Sequence, residues 1–161
     1  MTKSTDSLSS EAINGLNGTC TVAGDKSISH RALIFSSIAE GKTKIRGLLK
    51  SKDVYSTLNA LRELGVNISI QEQGLVEVTG TGMHGLQTPS SSLDLGNSGT
   101  GARLLMGLIG SQQISATFIG DKSLSKSPMR RITEPLSKMG VEINDNNGTF
   151  NKGSLKAELD I

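Results

Sequence analysis

Tryptophan is absent from this 161-residue sequence, and there are only one tyrosine and three phenylalanines. Single-stranded nucleic acids bind on aromatic stacking platforms set in basic grooves. The formal charge is only +2, and the Lys and Arg residues are spread along the chain, so nucleic acid is not expected as a partner. Cysteine occurs once, as Cys20, which excludes an intramolecular disulfide and any cysteine cluster for a metal. His30 and His84 are the only histidines and lie far apart. No stretch approaches the roughly 18 apolar residues that span a bilayer, and residues 1–10 are polar without the apolar core of a secretory signal. These absences point to a soluble, cytoplasmic protein of a reducing compartment, with no membrane partner. With 35% hydrophobic and 20% charged residues, the chain can bury the core of one ordinary domain or slightly more.

Glycine is abundant instead, at nineteen residues. It gathers where backbone turns tightly or approaches something closely, here around segments that read as helices. After a polar tail, residues 19–22 read as a short strand, 24–29 as a loop and 32–39 as a buried helix stopped by Gly41. Residues 44–49 read as a strand. Ser51 is a plausible N-cap, and Val54, Leu58, Leu61 and Leu64 repeat at helical spacing until Gly65. Residues 66–70 and 75–78 alternate as a hairpin with Gln73-Gly74 near its turn.

The pattern then restarts. Residues 93–95 read as a strand, 102–109 as a buried helix, 114–119 as a strand, and 128–139 as an amphipathic helix opened by Pro128 and kinked by Pro135. Gly140 stops it, a strand begins at 141–143, residues 144–148 make a turn, and 155–161 alternate like a final strand. A shift of 72 positions brings Gly24 onto Gly96 and Arg31 onto Arg103. A shift of 75 brings Leu64-Gly65-Val66 onto Met139-Gly140-Val141. The reading is an α/β chain (α+β in some schemes) built from two β-α-β-α-β-β units, about 23–85 and 92–161.

Residues 80–85 match G-x-G-x-x-G after a strand. A dinucleotide fingerprint needs a helix immediately afterwards, and the breaker-rich run that follows makes this a connector. The segment 24–31, GDKSISHR, is more informative. It sets Lys26, Ser27 and Arg31 around a helix start, where free N–H groups and the dipole favour an anion. Lysine brings a point charge and arginine a planar fork for phosphate or carboxylate oxygens. The loop 94–103, DLGNSGTGAR, has three glycines in six residues, with Asn97 and Thr100 to orient a ligand and Arg103 to bind it or brace the loop. A capped helix start or a tight strand-to-helix turn uses similar residues, but two such loops in register, each with Arg in the same place, favour anion binding. Residues 120–126 echo the first motif and place Lys126 at another helix start.

These three segments, GDKSISHRA, LGNSGTGAR and FIGDKSLSKSPM, closely resemble the 5-enolpyruvylshikimate-3-phosphate synthases of the shikimate pathway, with wording nearest the bacterial class II forms. The resemblance runs from about residue 16 to 143. It implies the enolpyruvyl transferase fold, two domains of three such units each, of which this chain carries two units as an incomplete domain over 23–161. Residues 1–22 then hold a tail and strand belonging with the second domain. It also implies transfer of the enolpyruvyl group of phosphoenolpyruvate to the 5-hydroxyl of shikimate 3-phosphate, with no metal or organic cofactor.

Carried over by motif, the resemblance gives Lys26 contact with both substrates and a catalytic role. Ser27 and Arg31 fall to shikimate 3-phosphate. Asn97, Gly99 and Thr100 line the phosphoenolpyruvate loop, with Arg103 anchoring it. Two departures stand out. Ser127 occupies the place of an arginine that binds phosphoenolpyruvate, and the chain has less than half the family's length, so a complementary C-terminal fragment is an expected partner and the chain alone is expected to be inactive. Two alternatives are a UDP-N-acetylglucosamine enolpyruvyl transferase, whose loop cysteine Cys20 does not match, and a non-catalytic anion-binding fragment.

Overall fold

The computed structural model describes residues 8–12, 14–146 and 149–157. In chain order the elements are α1 (Lys26–Ile38), β1 (Glu40–Ile45), α2 (Lys52–Glu63), β2 (Asn67–Ile70), β3 (Val76–Thr81), β4 (Leu93–Asp94), α3 (Gly99–Ile109), β5 (Ser115–Ile119), α4 (Arg130–Lys138), β6 (Val141–Asn146) and β7 (Thr149–Ala157). Short 3-10 turns occupy Glu72–Gly74 and Leu124–Lys126. The strands form two sheets, β1-β3-β2 and β4-β5-β7-β6.

The repeat is visible in that order. In each sheet the last strand of the unit lies between the two before it: β3 pairs antiparallel with β1 and β2, and β7 with β5 and β6. The second sheet also carries β4, parallel to β5 through Leu93↔Phe118 and Asp94↔Ile119. Among the described residues the first has no such strand, which corrects the expectation for 19–22. That segment lies in no strand, and Val22 is 81% exposed where Leu93 is fully buried. Residues 1–7 and 158–161, assigned to the polar tail and the end of the last strand, lie outside the described residues, as do 147–148 of the expected turn.

Local chemistry explains the helices. Ser51, in extended conformation, accepts from the Val54 N–H to open α2. Val54, Leu58, Leu61 and Leu64 then bury completely, each worth about 1.5–3 kcal/mol relative to exposure. Gly65 (φ 89°) and Gly140 (φ 94°), the pair matched by the shift of 75, end α2 and α4 in the left-handed region that glycine enters without penalty. The hairpin turn uses Gln73 (φ 58°) and Gly74 (φ 75°).

Several boundaries move from their expected places. α3 opens at Gly99 rather than 102, where Ser98 caps it, β6 runs on to Asn146 into the expected turn, and β7 starts at Thr149 rather than 155. α1 starts at Lys26, not at 32, because Asp25 caps it. β1 lies at Glu40–Ile45 rather than 44–49, since the polar EGKTKI run is held by pairing with β3 rather than by burial. α4 begins at Arg130, because Leu124–Lys126 closes a separate turn and Pro128 precedes the helix. The core runs from α1 and α2 through α3 to both sheets, with Leu33, Leu58, Leu93, Leu105, Ile109 and Phe118 all fully buried.

Candidate functional site

The first motif is fixed by its polar residues. The Asp25 carboxylate accepts from the Ile28 N–H at 2.7 Å. Ser29 is buried; its hydroxyl donates to the Asp25 carbonyl at 2.7 Å and accepts from the Leu49 N–H at 3.0 Å, tying the α1 start to the chain entering α2. Gly24 is demanded by closeness, because a Cβ there would stand 2.0 Å from the Gly47 carbonyl oxygen. Lys26 reaches across to α2 and donates to Asp53 Oδ2 at 2.7 Å. Ser27 and Arg31 are exposed and, four residues apart, share one helix face.

At the second motif, the Ser98 hydroxyl accepts from the Gly101 N–H at 3.2 Å and caps α3. The Asp94 carboxylate accepts from the Gly96 N–H at 2.8 Å. Asn97 and Thr100 are exposed beside this cap. Arg103 is half-buried, and its Nη1 lies 3.2 Å from where a Gly99 Cβ would sit, so the guanidinium covers Gly99. The third motif is tied to this loop: the Asp121 N–H donates to the Gly96 carbonyl at 2.8 Å, and that carbonyl lies 2.9 Å from a Gly120 Cβ position. Asp121 Oδ1 accepts from the Ser123 and Leu124 N–H groups, both at 2.8 Å. Ser127 donates to the Ser123 carbonyl at 3.3 Å, while Lys122, Lys126, Arg130 and Arg131 are exposed around the start of α4.

Helix α2 joins the two helix starts. Lys26 meets its first turn at Asp53, His30 bonds Thr57 at 2.8 Å, Gly96 lies against Ser56, and Gly101 against Thr57. The structure thus gathers Lys26, Ser27 and Arg31 at one helix start and Asn97, Gly99, Thr100 and Arg103 at another, both flanking α2. Asp53, His30 and Thr57 were not singled out by sequence reasoning. Their only signal is a spacing of 27 residues from partners that the fold brings close. Burial holds the His30 pKa below its ordinary 6.5, with Asp53 opposing and Lys26 adding to the shift. A cavity of about 250 Å³ lined by Ser90, Ser92, Ser115 and Thr117 lies at the other end of β5, away from these loops. After Thr81 no helix opens before Gly99, so 80–85 is the connector expected. Among the described residues no cluster of three His, Cys, Asp or Glu could hold a metal, and no helix is long and apolar enough to cross a membrane.

A family model described as EPSP synthase (3-phosphoshikimate 1-carboxyvinyltransferase) matches residues 10–157. The chain belongs to the EPSP synthase family. It is 58% identical over 128 residues to a 3-phosphoshikimate 1-carboxyvinyltransferase of Streptococcus uberis, covering 80% of this chain and 30% of that protein. It is 49% identical over 145 residues to the protein of the same name from Parvibaculum lavamentivorans, covering 90% and 32%. The solved EPSP synthase of Acinetobacter baumannii superimposes with a TM-score of 0.81 at 46% identity, over 87% of this chain and 32% of that one. The chain therefore has the enolpyruvyl transferase fold over its matched length and spans about a third of the EPSP synthases it matches.

Proposed function

We propose that this chain supplies part of the cleft in which the enolpyruvyl group of phosphoenolpyruvate passes to the 5-hydroxyl of shikimate 3-phosphate. The observation that carries the proposal is the placement of two helix starts, each with exposed polar residues and an arginine, on either side of α2. Two phosphates and a carboxylate must be held together, and N–H groups, Lys26, Arg31 and Arg103 provide fixed positive ends for them. Lys26 serves both substrates and is the catalytic candidate, Ser27 and Arg31 take shikimate 3-phosphate, and Asn97, Gly99, Thr100 and Arg103 take phosphoenolpyruvate. The methylene carbon of the enolpyruvyl group is protonated, and the 5-hydroxyl attacks the neighbouring carbon as it gives up its proton. Loss of phosphate from that carbon, together with a proton from the new methyl group, restores the double bond.

On this reading residues 1–22 associate with a second domain, 23–161 form two of three units, and the acid–base groups come from a complementary portion, in the cytoplasm. The test is calorimetry with shikimate 3-phosphate together with an assay of phosphate release. The expected result is affinity without turnover by the chain alone, and turnover when the complementary portion is supplied. Turnover by the chain alone refutes the incomplete cleft, and absence of any binding refutes the site. Ser127, neutral and bonded to backbone, favours a second reading in which the chain only binds anions. Silence after complementation would establish it.

A further inference from the structure

Between the two helix starts lies a buried polar pair that the proposed chemistry leaves unused. His30 and Thr57 are both wholly buried, and Nδ1 and Oγ1 share a hydrogen bond of 2.8 Å whose direction follows the imidazole tautomer. His30 stands one helical turn past Lys26 and next to Arg31 on α1, and Thr57 one turn past Asp53 on α2. On its other side Thr57 meets α3, since a methyl at Gly101 would stand 2.4 Å from Thr57 Oγ1 and 2.7 Å from Ser98 Oγ. Gly101 follows Thr100 and Ser98 follows Asn97. A single hydroxyl therefore touches both the helix that carries Lys26 and the loop that carries the other group of site residues.

We infer that His30 and Thr57 form a positioning joint: the imidazole, held by Thr57, fixes the α1 anion-binding residues in register with the α3 loop and releases that register when it is protonated. His30 Nε2 is buried without a hydrogen-bond partner. Neutral imidazole leaves that nitrogen unserved at a modest cost, whereas imidazolium places a charged N–H there, which is far more costly. Two charged groups bear on the ring: Asp53 on α2 favours its charged form, and Lys26 on its own helix opposes it. Burial, the largest influence, outweighs Asp53 and holds the pKa below its ordinary value. From α3 the joint receives only the uncharged Ser98 and Gly101, while Arg103 lies over Gly99. Protonation leaves two routes open. Asp53 turns from Lys26 toward the imidazolium, or the ring leaves Thr57. Both displace Lys26 relative to the α3 loop.

The substrate arm of the test rests on the proposed function, and the structural arm does not. Proton–nitrogen correlation spectra of the 161-residue chain are followed from pH 8 to pH 5, for the wild type and for His30→Asn, with shikimate 3-phosphate titrated at each end. The asparagine amide occupies the place of Nδ1, can bond Thr57, and does not titrate in this range. The wild-type amides of Gly99, Thr100 and Gly101 are expected to follow the same titration curve as the His30 ring. Its affinity for shikimate 3-phosphate should fall about tenfold more on acidification than that of His30→Asn, the scale of one buried charge left unserved. His30→Asn is expected to lose the α3 response. Amides of α3 that ignore the His30 titration overturn the inference, as does a response that persists in His30→Asn, and the first of these needs no variant to fold. If those amides follow His30 while shikimate 3-phosphate binds at neither pH, the joint stands and the proposed function falls.

Discussion

Replacing Gly101 with alanine places a methyl 2.4 Å from Thr57 Oγ1 and 2.7 Å from Ser98 Oγ. Neither oxygen can stay, because carbon and oxygen not bonded to one another need more than 3 Å. Repacking of this kind costs about 1–3 kcal/mol. Displacing Thr57 breaks the hydrogen bond that holds the wholly buried His30 imidazole, about another 1–3 kcal/mol, and moving Ser98 weakens the α3 cap by up to about 1 kcal/mol. Alanine returns roughly 1 kcal/mol through its better helix propensity. The net expectation is a loss of about 1–6 kcal/mol, read as a lower urea midpoint at unchanged slope and a Tm lower by about 2–4 °C for each kcal/mol. Gly107, six residues along the same helix, has nothing within 4 Å of its Cβ position, so Gly107→Ala should stabilise the chain by about 0.5–1 kcal/mol. The same small gain at both positions would refute the packing of Thr57 against Gly101 and the joint built on it.

Other substitutions test separate steps. Asp25→Ala removes the 2.7 Å cap of α1 and should cost about 1 kcal/mol in urea unfolding. Ser51→Ala, losing a 3.4 Å bond, should cost less, and the reverse order would contradict the cap geometry. Because burial lowers the folded-state pKa of His30 below 6.5, the unfolded chain takes up the proton first. Stability should therefore be complete above that pH and decline below it toward the folded pKa, and a Tm series against pH should flatten in His30→Asn. Arg31→Ala should weaken shikimate 3-phosphate binding by about thirtyfold or more, the low end for removing one partner of a charged contact, while Arg46→Ala, at an exposed position just past β1, changes it little. Equal losses in calorimetry would remove the α1 site. In a complemented enzyme, Ser127→Arg should improve kcat/KM for phosphoenolpyruvate by roughly 2–4 kcal/mol and leave shikimate 3-phosphate nearly unchanged. No change in either would mean that another cation already fills that place.

Elements that bury a periodic apolar face were the legible ones. The cap, stripe and stop of α2 are written in Ser51, Val54 to Leu64, and Gly65, and each does what its residue type requires. The repeat was legible because Gly65 and Gly140 answer the same geometric demand 75 residues apart. The exact first residue of α1 was hidden because its opening turn, Lys26 to Ser29, is polar and only its cap marks it. β1 was displaced because an edge strand such as EGKTKI is defined by its partner β3, which lies about 30 residues further on. At the site, the two helix starts were legible from glycine, lysine and arginine at turns. The pairs Lys26 with Asp53 and His30 with Thr57 were not, since each is made by packing α1 on α2 and leaves no local pattern.

The order of strands in both sheets has a consequence for how the chain is made. Each sheet is closed by the strand that emerges last, β3 between β1 and β2 and β7 between β5 and β6. The first sheet is complete once Thr81 has left the ribosome, but β5, finished at Ile119, must wait for its partners Gly153 to Lys156. At ordinary synthesis rates that interval is roughly 2–7 s, during which the edge of β5 facing β7 has no strand beside it. Folding of this chain is therefore directional: the Lys26 end of the site is set on a finished scaffold while the Arg103 end still awaits its central strand. A holdase that shelters strand edges would act on the two units in turn, first while β1 waits for Val76 and then while β5 waits for Gly153.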